Sequence, residues 1–289
     1  MIVIRRKVKV MIKKIGVMAL TVNEEIFRSH YLATYENFFQ ANMTDLEVVV
    51  EGLVYTQGFD ISEKEEYTGL HVVRDDSVFK KGYSISEIRD YFTEKAFEDY
   101  GYDYILFCDD DFKFGSRSGE CILRDFQFME SNPDVGITNF HYNIRLDEET
   151  YSKEYYDFNP SRVCTRSGIF VKRDAFVTWG GGDMVIYYEE CVLAGEAYRR
   201  GYRVVHSIAD IIHITKKSGL GKSLEREYKD NFSDMVGGRQ VMCRKGLYVP
   251  ATDKDGTVNY RKPCKVSQVL ADLHHNNNNL IRRGLNPVG

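Results

Sequence analysis

An apolar run, Tyr104-Ile105-Leu106-Phe107-Cys108, stops on three consecutive carboxylates, Asp109, Asp110 and Asp111. Such a run reads as a buried strand, and buried strands reject Asp. The three acids therefore belong at the exposed end of a sheet. Two readings fit them there. They can hold a hard divalent cation such as Mg2+ or Mn2+, or they can form a polar loop that caps the next helix.

The order of elements favours the cation. Lys14 to Thr21, Leu46 to Val50 and Leu70 to Val73 read as further strands. A helix is expected from Glu24 to about Ala41, capped by Asn23, and another from Tyr83 to about Tyr100, stopped by Gly101. Strands alternating with helices imply an α/β fold, a Rossmann-like, mostly parallel sheet flanked by helices. Ligands of such sheets sit beyond the C-terminal strand ends. Thr21-Val22-Asn23, Arg74-Asp75 and the three aspartates all fall at that edge. Further on, a helix over 119–131 and strands at 135–140, 166–173, 203–206 and 208–214 are expected. Residues 141–163 read as an irregular insertion or lid. A helix is expected over Tyr187 to Arg200, and a last one over about 266–283.

By this point the chain resembles the family-2-like glycosyltransferases of the GT-A fold. Thr21-Val22-Asn23-Glu24-Glu25 is similar to their opening T-x-N-E-E. Gly82 through Arg89, then Tyr102 to Asp111, resembles their helix followed by a strand and a DXD motif. Gly181-Gly182-Asp183, Glu189-Glu190 and Arg199-Arg200-Gly201-Tyr202 resemble the later acidic pair and R-x-x-G-Y. The likeness covers roughly residues 14–214. It implies a nucleoside-diphosphate sugar as donor, foremost a UDP-sugar, and Mn2+ or Mg2+ as cofactor.

Asp109 and Asp111, one residue apart, share a side if the segment stays extended, and both can approach one metal. Asp110 then faces away, toward the ribose or a buried partner. The resemblance implies His213 as a third metal ligand and Arg74 as a contact to nucleobase or ribose. It also brings Thr21, Asn23 and Glu25 to the donor. An inverting transfer needs a carboxylate to take the acceptor's proton. The family pattern puts that base on Glu190, beside Glu189, with Glu where Asp is usual. Trp179, Gly182 and Asp183 are expected to bind the acceptor, Trp179 as a stacking platform or else as an ordinary core residue. Lys216 and Lys217 open a basic run that can close over the diphosphate.

Charge bears on the acceptor. From His213 onward 14 Lys and Arg face 7 Asp and Glu, a balance of +7, which leaves −11 for residues 1–212. A basic C-terminal third suggests an anionic ligand. The acceptor stays open among a glycan, a protein and a lipid head group; the charge adds DNA as an alternative, since some phage enzymes of this type glycosylate hydroxymethylated bases. A nucleotidyltransferase is the competing enzyme class, but it usually carries a Gly-rich loop after the first strand. A noncatalytic sugar-nucleotide-binding relative is the other alternative.

The expected layout is a basic extension at 1–11, a catalytic domain at 12–214 divided near 115, and a less regular basic region with lid at 215–289. No apolar run reaches membrane-span length, and the N-terminal stretch does not read as a signal peptide. The six cysteines show neither C-x-x-C nor zinc spacing. They read as free thiols in a cytoplasm, the host's if the chain is phage-encoded.

Overall fold

The computed structural model describes residues 12–43, 47–61, 67–77, 85–141, 155–157, 168–180, 188–214, 236–273 and 275. In chain order the strands are β1 (Lys13–Thr21), β2 (Val48–Thr56), β3 (Leu70–Arg74), β4 (Tyr104–Asp109), β5 (Phe112–Phe114), β6 (Val135–His141), β7 (Tyr156–Asp157), β8 (Ile169–Lys172), β9 (Arg203–Ile208), β10 (Ile211–His213), β11 (Tyr248–Val249) and β12 (Lys265–Val266). Eight of them form one sheet in the order β3-β2-β1-β4-β8-β6-β9-β7. The β1-β2, β2-β3, β1-β4 and β6-β9 pairings are parallel. β8 runs antiparallel between β4 and β6, and β7 antiparallel on β9. The expected Rossmann-like, mostly parallel α/β sheet is present, with an antiparallel strand inserted at its centre.

The pleat of β4 separates two cores. Tyr104, Leu106 and Cys108 enter one cluster with Ile15, Val17 and Ala19 of β1. Ile105 and Phe107 enter the other with Met18. Alternate residues of a strand face opposite sides, so both faces of these central strands are covered. The helices are α1 (Glu24–Phe27), α2 (Glu36–Phe39), α3 (Ile85–Asp99), α4 (Ser118–Ser131), α5 (Glu189–Arg199), α6 over 236–244 and α7 over 268–273. α1, α2 and α4 supply Phe27, Phe38 and Ile122 to the first core. α3 and α5 supply Phe92, Ala96, Val192 and Leu193 to the second.

Several elements differ from expectation. The single helix over 24–41 is broken: α1 passes into a π-helical turn, Arg28–Leu32, then α2, then a 3-10 turn, Gln40–Met43. Local side chains compete with the regular ladder there. Ser29 Oγ donates to the Glu25 carbonyl at 2.7 Å, His30 Nδ1 lies 2.9 Å from the Ile26 carbonyl, and Thr34 Oγ1 donates to the His30 carbonyl at 2.9 Å. β2 continues to Thr56 because Leu53, Val54 and Tyr55 are wholly or almost wholly buried. Within the stretch read as irregular, α6, β11 and β12 are ordered elements. Val241, Met242, Leu247, Tyr248 and Leu270 share the second core with α5.

α4 crosses the 3-10 turn at very short range. A Cβ on Gly119 would lie 2.8 Å from the Ala41 amide nitrogen and 3.2 Å from the Asn37 and Phe38 carbonyl oxygens. Those atoms are backbone, so relief requires moving a helix. Gly119→Ala should therefore destabilise the fold by about 1–3 kcal/mol despite alanine's better helix propensity. Urea melts of the two proteins would measure this.

Candidate active site

The C-terminal ends of β1, β2 and β4 open onto a cleft of about 520 Å³. Leu20, Thr21, Gln57, Arg89, Asp109, Asp110, Asp111 and His213 are among its lining residues.

The strand alternation assigns the three aspartates different partners. Asp109 continues the Ile105 and Phe107 side, toward α3 and α5. Arg89 Nη2 of α3 meets Asp109 Oδ1 there at 3.2 Å. Asp110 continues the opposite side, where odd residues of β1 also point. It accepts a 2.6 Å hydrogen bond from Thr21 Oγ1 on the neighbouring strand. Burial pushes the Asp110 carboxyl up to about 6, against that hydrogen bond. Thr21 thus holds an aspartate in place and gives Asp110 a buried partner.

After Asp110 the chain turns and returns as β5, which pairs antiparallel with β10, Phe112 opposite His213. The Ile214 amide donates to the Asp111 carbonyl at 3.1 Å. This ribbon delivers His213 to the aspartates. His213 Nε2 lies 3.1 Å from Asp111 Oδ1 and 3.9 Å from Asp109 Oδ2. One ligand atom from each of the three residues falls within a common 4.8 Å. Interaction with Asp111 raises the imidazole above its ordinary range, against burial. Two carboxylates and one imidazole suit Mn2+ and, less well, Mg2+. Asp111 Oδ1 is buried and, among the described residues, makes no well-formed hydrogen bond. An oxygen so placed, beside a ring nitrogen, fits a cation that both would ligate.

Arg89 links this cluster to the acidic pair. Its Nη1 lies 3.0 Å from Glu190 Oε1 and 3.2 Å from Glu189 Oε1. Burial works against the guanidinium's charge, but Glu189, Glu190 and Asp109 outweigh it and hold Arg89 protonated. Burial pushes the Glu189 carboxyl up to about 8, with Arg89 opposing. Both glutamates sit in the first turn of α5, where backbone N–H groups favour carboxylates. Tyr188 precedes them at φ 73°, the one non-glycine residue with positive φ among the described residues. That conformation costs about 1–3 kcal/mol. It is buttressed by Arg239 of α6, whose Nη2 donates to the Tyr188 hydroxyl at 3.3 Å.

Trp179 does not present a face to an acceptor here. It is fully buried, packs on Phe107 at 4.5 Å between ring centroids, and donates from Nε1 to Thr93 Oγ1 at 3.1 Å. Its ring lies 5.2 Å from the Arg89 guanidinium, so it supports that cation. The core alternative holds because aromatic and hydrogen-bonding partners already surround it. Asn23 caps α1, accepting from the Ile26 amide at 3.1 Å. With Glu25 and Gln57 it lines a second hollow beside the cleft. Arg74, at the end of β3, pairs with Asp60 and Asp76. Gly182, Asp183, Lys216 and Lys217 lie outside the described residues.

Two site residues escape the sequence reading. Arg89 looks like an ordinary helix arginine; only its place in Gly82 through Arg89, just ahead of the aspartate strand, hinted at it. Gln57 is 4% exposed, and its Nε2 finds no hydrogen-bond partner among the described residues. It lines both hollows, so its amide is available to a bound molecule.

No protein-family model and no curated protein matches the chain. Solved structures of Staphylococcus aureus TarS are similar in part. TarS 1-349 aligns at 13% identity over 79% of this chain and 65% of that one, with a TM-score of 0.44. The complex of TarS 1-349 with UDP-GlcNAc aligns at 11% identity over 79% and 66%, TM-score 0.46. A further TarS structure aligns at 13% identity over 80% and 39%, TM-score 0.49. The aligned region is thus less than two thirds of each TarS chain.

If Asp109, Asp111 and His213 form one cation site, the protein should bind Mn2+, and Asp111→Ala should weaken binding at least tenfold. Electron paramagnetic resonance of free Mn2+ reads this without any substrate. Equal binding by the wild type and Asp111→Ala would refute the assignment.

Proposed function

We propose that this chain is a metal-dependent glycosyltransferase. It moves a sugar from a nucleoside-diphosphate sugar, a UDP-sugar foremost, to an acceptor hydroxyl with inversion at the anomeric carbon. One observation carries the reading. Asp109, Asp111 and His213 converge at the C-terminal strand edge, and Arg89 ties them to Glu189 and Glu190. The strand edge is where open α/β sheets bind nucleotides. The motif resemblance supports the same chemistry.

The leaving group is a nucleoside diphosphate, so negative charge grows on its β-phosphate. A Mn2+ or Mg2+ held by Asp109, Asp111 and His213 would supply positive charge against it. Arg89 adds a fixed cation on the same side of the cleft, preorganised by three carboxylates and the Trp179 ring. Thr21 fixes Asp110, so the aspartate turn is held from both faces of the sheet.

Glu190 is the general base. An acceptor's proton can pass only to an ionised carboxylate that the acceptor can reach. Glu189 is the more deeply buried of the two, and burial disfavours its charged form; Glu190 is the more exposed. The acceptor oxygen forms its bond to the anomeric carbon as the glycosyl–phosphate bond breaks. Its proton goes to Glu190. Arg89 holds Glu190 by an ion pair, and an incoming diphosphate would compete for that guanidinium. Donor binding would then free the base for the acceptor. Gln57 faces the cleft with a neutral amide suited to a ribose hydroxyl or a nucleobase edge. Glycans, proteins, lipid head groups and hydroxymethylated DNA bases all offer hydroxyls, and the basic C-terminal third favours an anionic acceptor.

Glu190→Gln should leave donor binding intact and lower transfer about 100- to 10,000-fold. Glu189→Gln replaces the carboxyl farther from the acceptor by a near-isostere and should retain activity within about tenfold. Nucleoside-diphosphate release, assayed over an acceptor panel, reads both. The reverse pattern would move the base to Glu189.

A further inference from the structure

Cys243 and Cys264 carry no part of the proposed chemistry, yet their sulfurs lie 3.8 Å apart. They are the two partly exposed cysteines among the described residues; Cys108, Cys121 and Cys191 are buried. Twenty-one positions separate them in sequence. They meet because α6 and the loop before β12 pack face to face. Arg239 stands one helical turn before Cys243, on the same face of α6. Its Nη1 donates to the Tyr260 carbonyl at 3.1 Å and the Arg261 carbonyl at 2.9 Å. The Arg239 bonds and the thiol contact thus bridge the same helix to the same loop. A sulfur–sulfur bond of about 2.05 Å needs the atoms to close by roughly 1.8 Å. Side-chain torsions can supply that while Arg239 keeps the backbone registered.

We propose that Cys243 and Cys264 are a disulfide-forming pair that staples α6 to the loop preceding β12. The inference is independent of the transfer reaction. Its oxidant is a low-molecular-weight disulfide such as glutathione disulfide, acting by thiol–disulfide exchange. One cysteine thiolate attacks a glutathione sulfur, and a glutathione thiolate leaves. The second cysteine then attacks the protein sulfur of the mixed disulfide and expels the second glutathione. Two electrons pass from the cysteines to glutathione disulfide, and the two cysteine protons end on two glutathione thiols. Burial, with Cys264 beside it, pushes the Cys243 thiol up to about 12.

The bond would matter beyond its own loop. Arg239 also reaches Tyr188, whose left-handed backbone launches the helix carrying Glu189 and Glu190. Arg199 of that helix donates to the Lys245 carbonyl, just past Cys243. Oxidation would therefore fix the support on which the acidic pair rests.

The test uses the full chain in glutathione buffers of graded redox ratio. Free thiols are trapped by alkylation, and peptides are read by mass spectrometry. The proposal expects a peptide joining Cys243 to Cys264, lighter than its parts by two hydrogens, rising through one two-electron transition. It also expects the melting temperature of the oxidised protein to rise by several degrees. Cys243→Ser and Cys264→Ser should each abolish the cross-link and the temperature rise. Complete alkylation of both cysteines in oxidising buffer would overturn the proposal. So would glutathione adducts that never resolve, or cross-links from either cysteine to a different partner.

Discussion

A single buried cation holds three carboxylates from distant parts of the chain within reach of each other. Arg89 contacts Asp109 at the end of β4 and Glu189 and Glu190 at the start of α5. Without it, this corner would bring like charges together out of water, which costs several kcal/mol. With it, α3, the central strand and α5 are locked to one another where the cleft opens. Trp179 lies against the guanidinium and Phe107 against Trp179, so the second core sets the position of the charge.

The alternation of β4 does the rest of the sorting. Asp109 leaves on the Arg89 side and Asp110 on the Thr21 side, and the turn after them brings Asp111 to His213. Three identical residues in a row thus acquire an ion pair, a hydrogen bond and an imidazole neighbour. The short β5–β10 ribbon is what makes this possible, since His213 lies on it roughly a hundred residues downstream of Asp111.

Much of this was legible in the chain itself. Apolar runs ending on polar residues marked β1, β3 and β4, and the ends of β1 and β4 marked the cleft. Asp109, Asp111 and His213 come together as expected. Other features were illegible for physical reasons. The break in the first helix depends on Ser29, His30 and Thr34 bonding to nearby carbonyls, a choice periodicity does not reveal. Strands as short as Phe112–Phe114 leave no repeat to detect. Arg89 and Trp179 are ordinary residue types whose roles arise only when α3 packs against α5. Cys243 and Cys264 follow no metal or redox spacing, because their contact is made by the packing of α6 on its loop. Arg74, expected to contact nucleobase or ribose, pairs with Asp60 and Asp76, a contact the sequence pattern does not reveal.

If one cleft takes a nucleoside-diphosphate sugar together with a divalent cation, the two should stabilise the fold together. Thermal denaturation against a panel of nucleotide sugars, with and without Mn2+, tests it most directly. Ligand bound only by the folded state raises the melting temperature by mass action. One nucleotide sugar should stabilise the protein, Mn2+ should enlarge the effect, and Asp111→Ala should remove the enlargement. A stabilisation indifferent to Mn2+, or none with any nucleotide sugar, would contradict it.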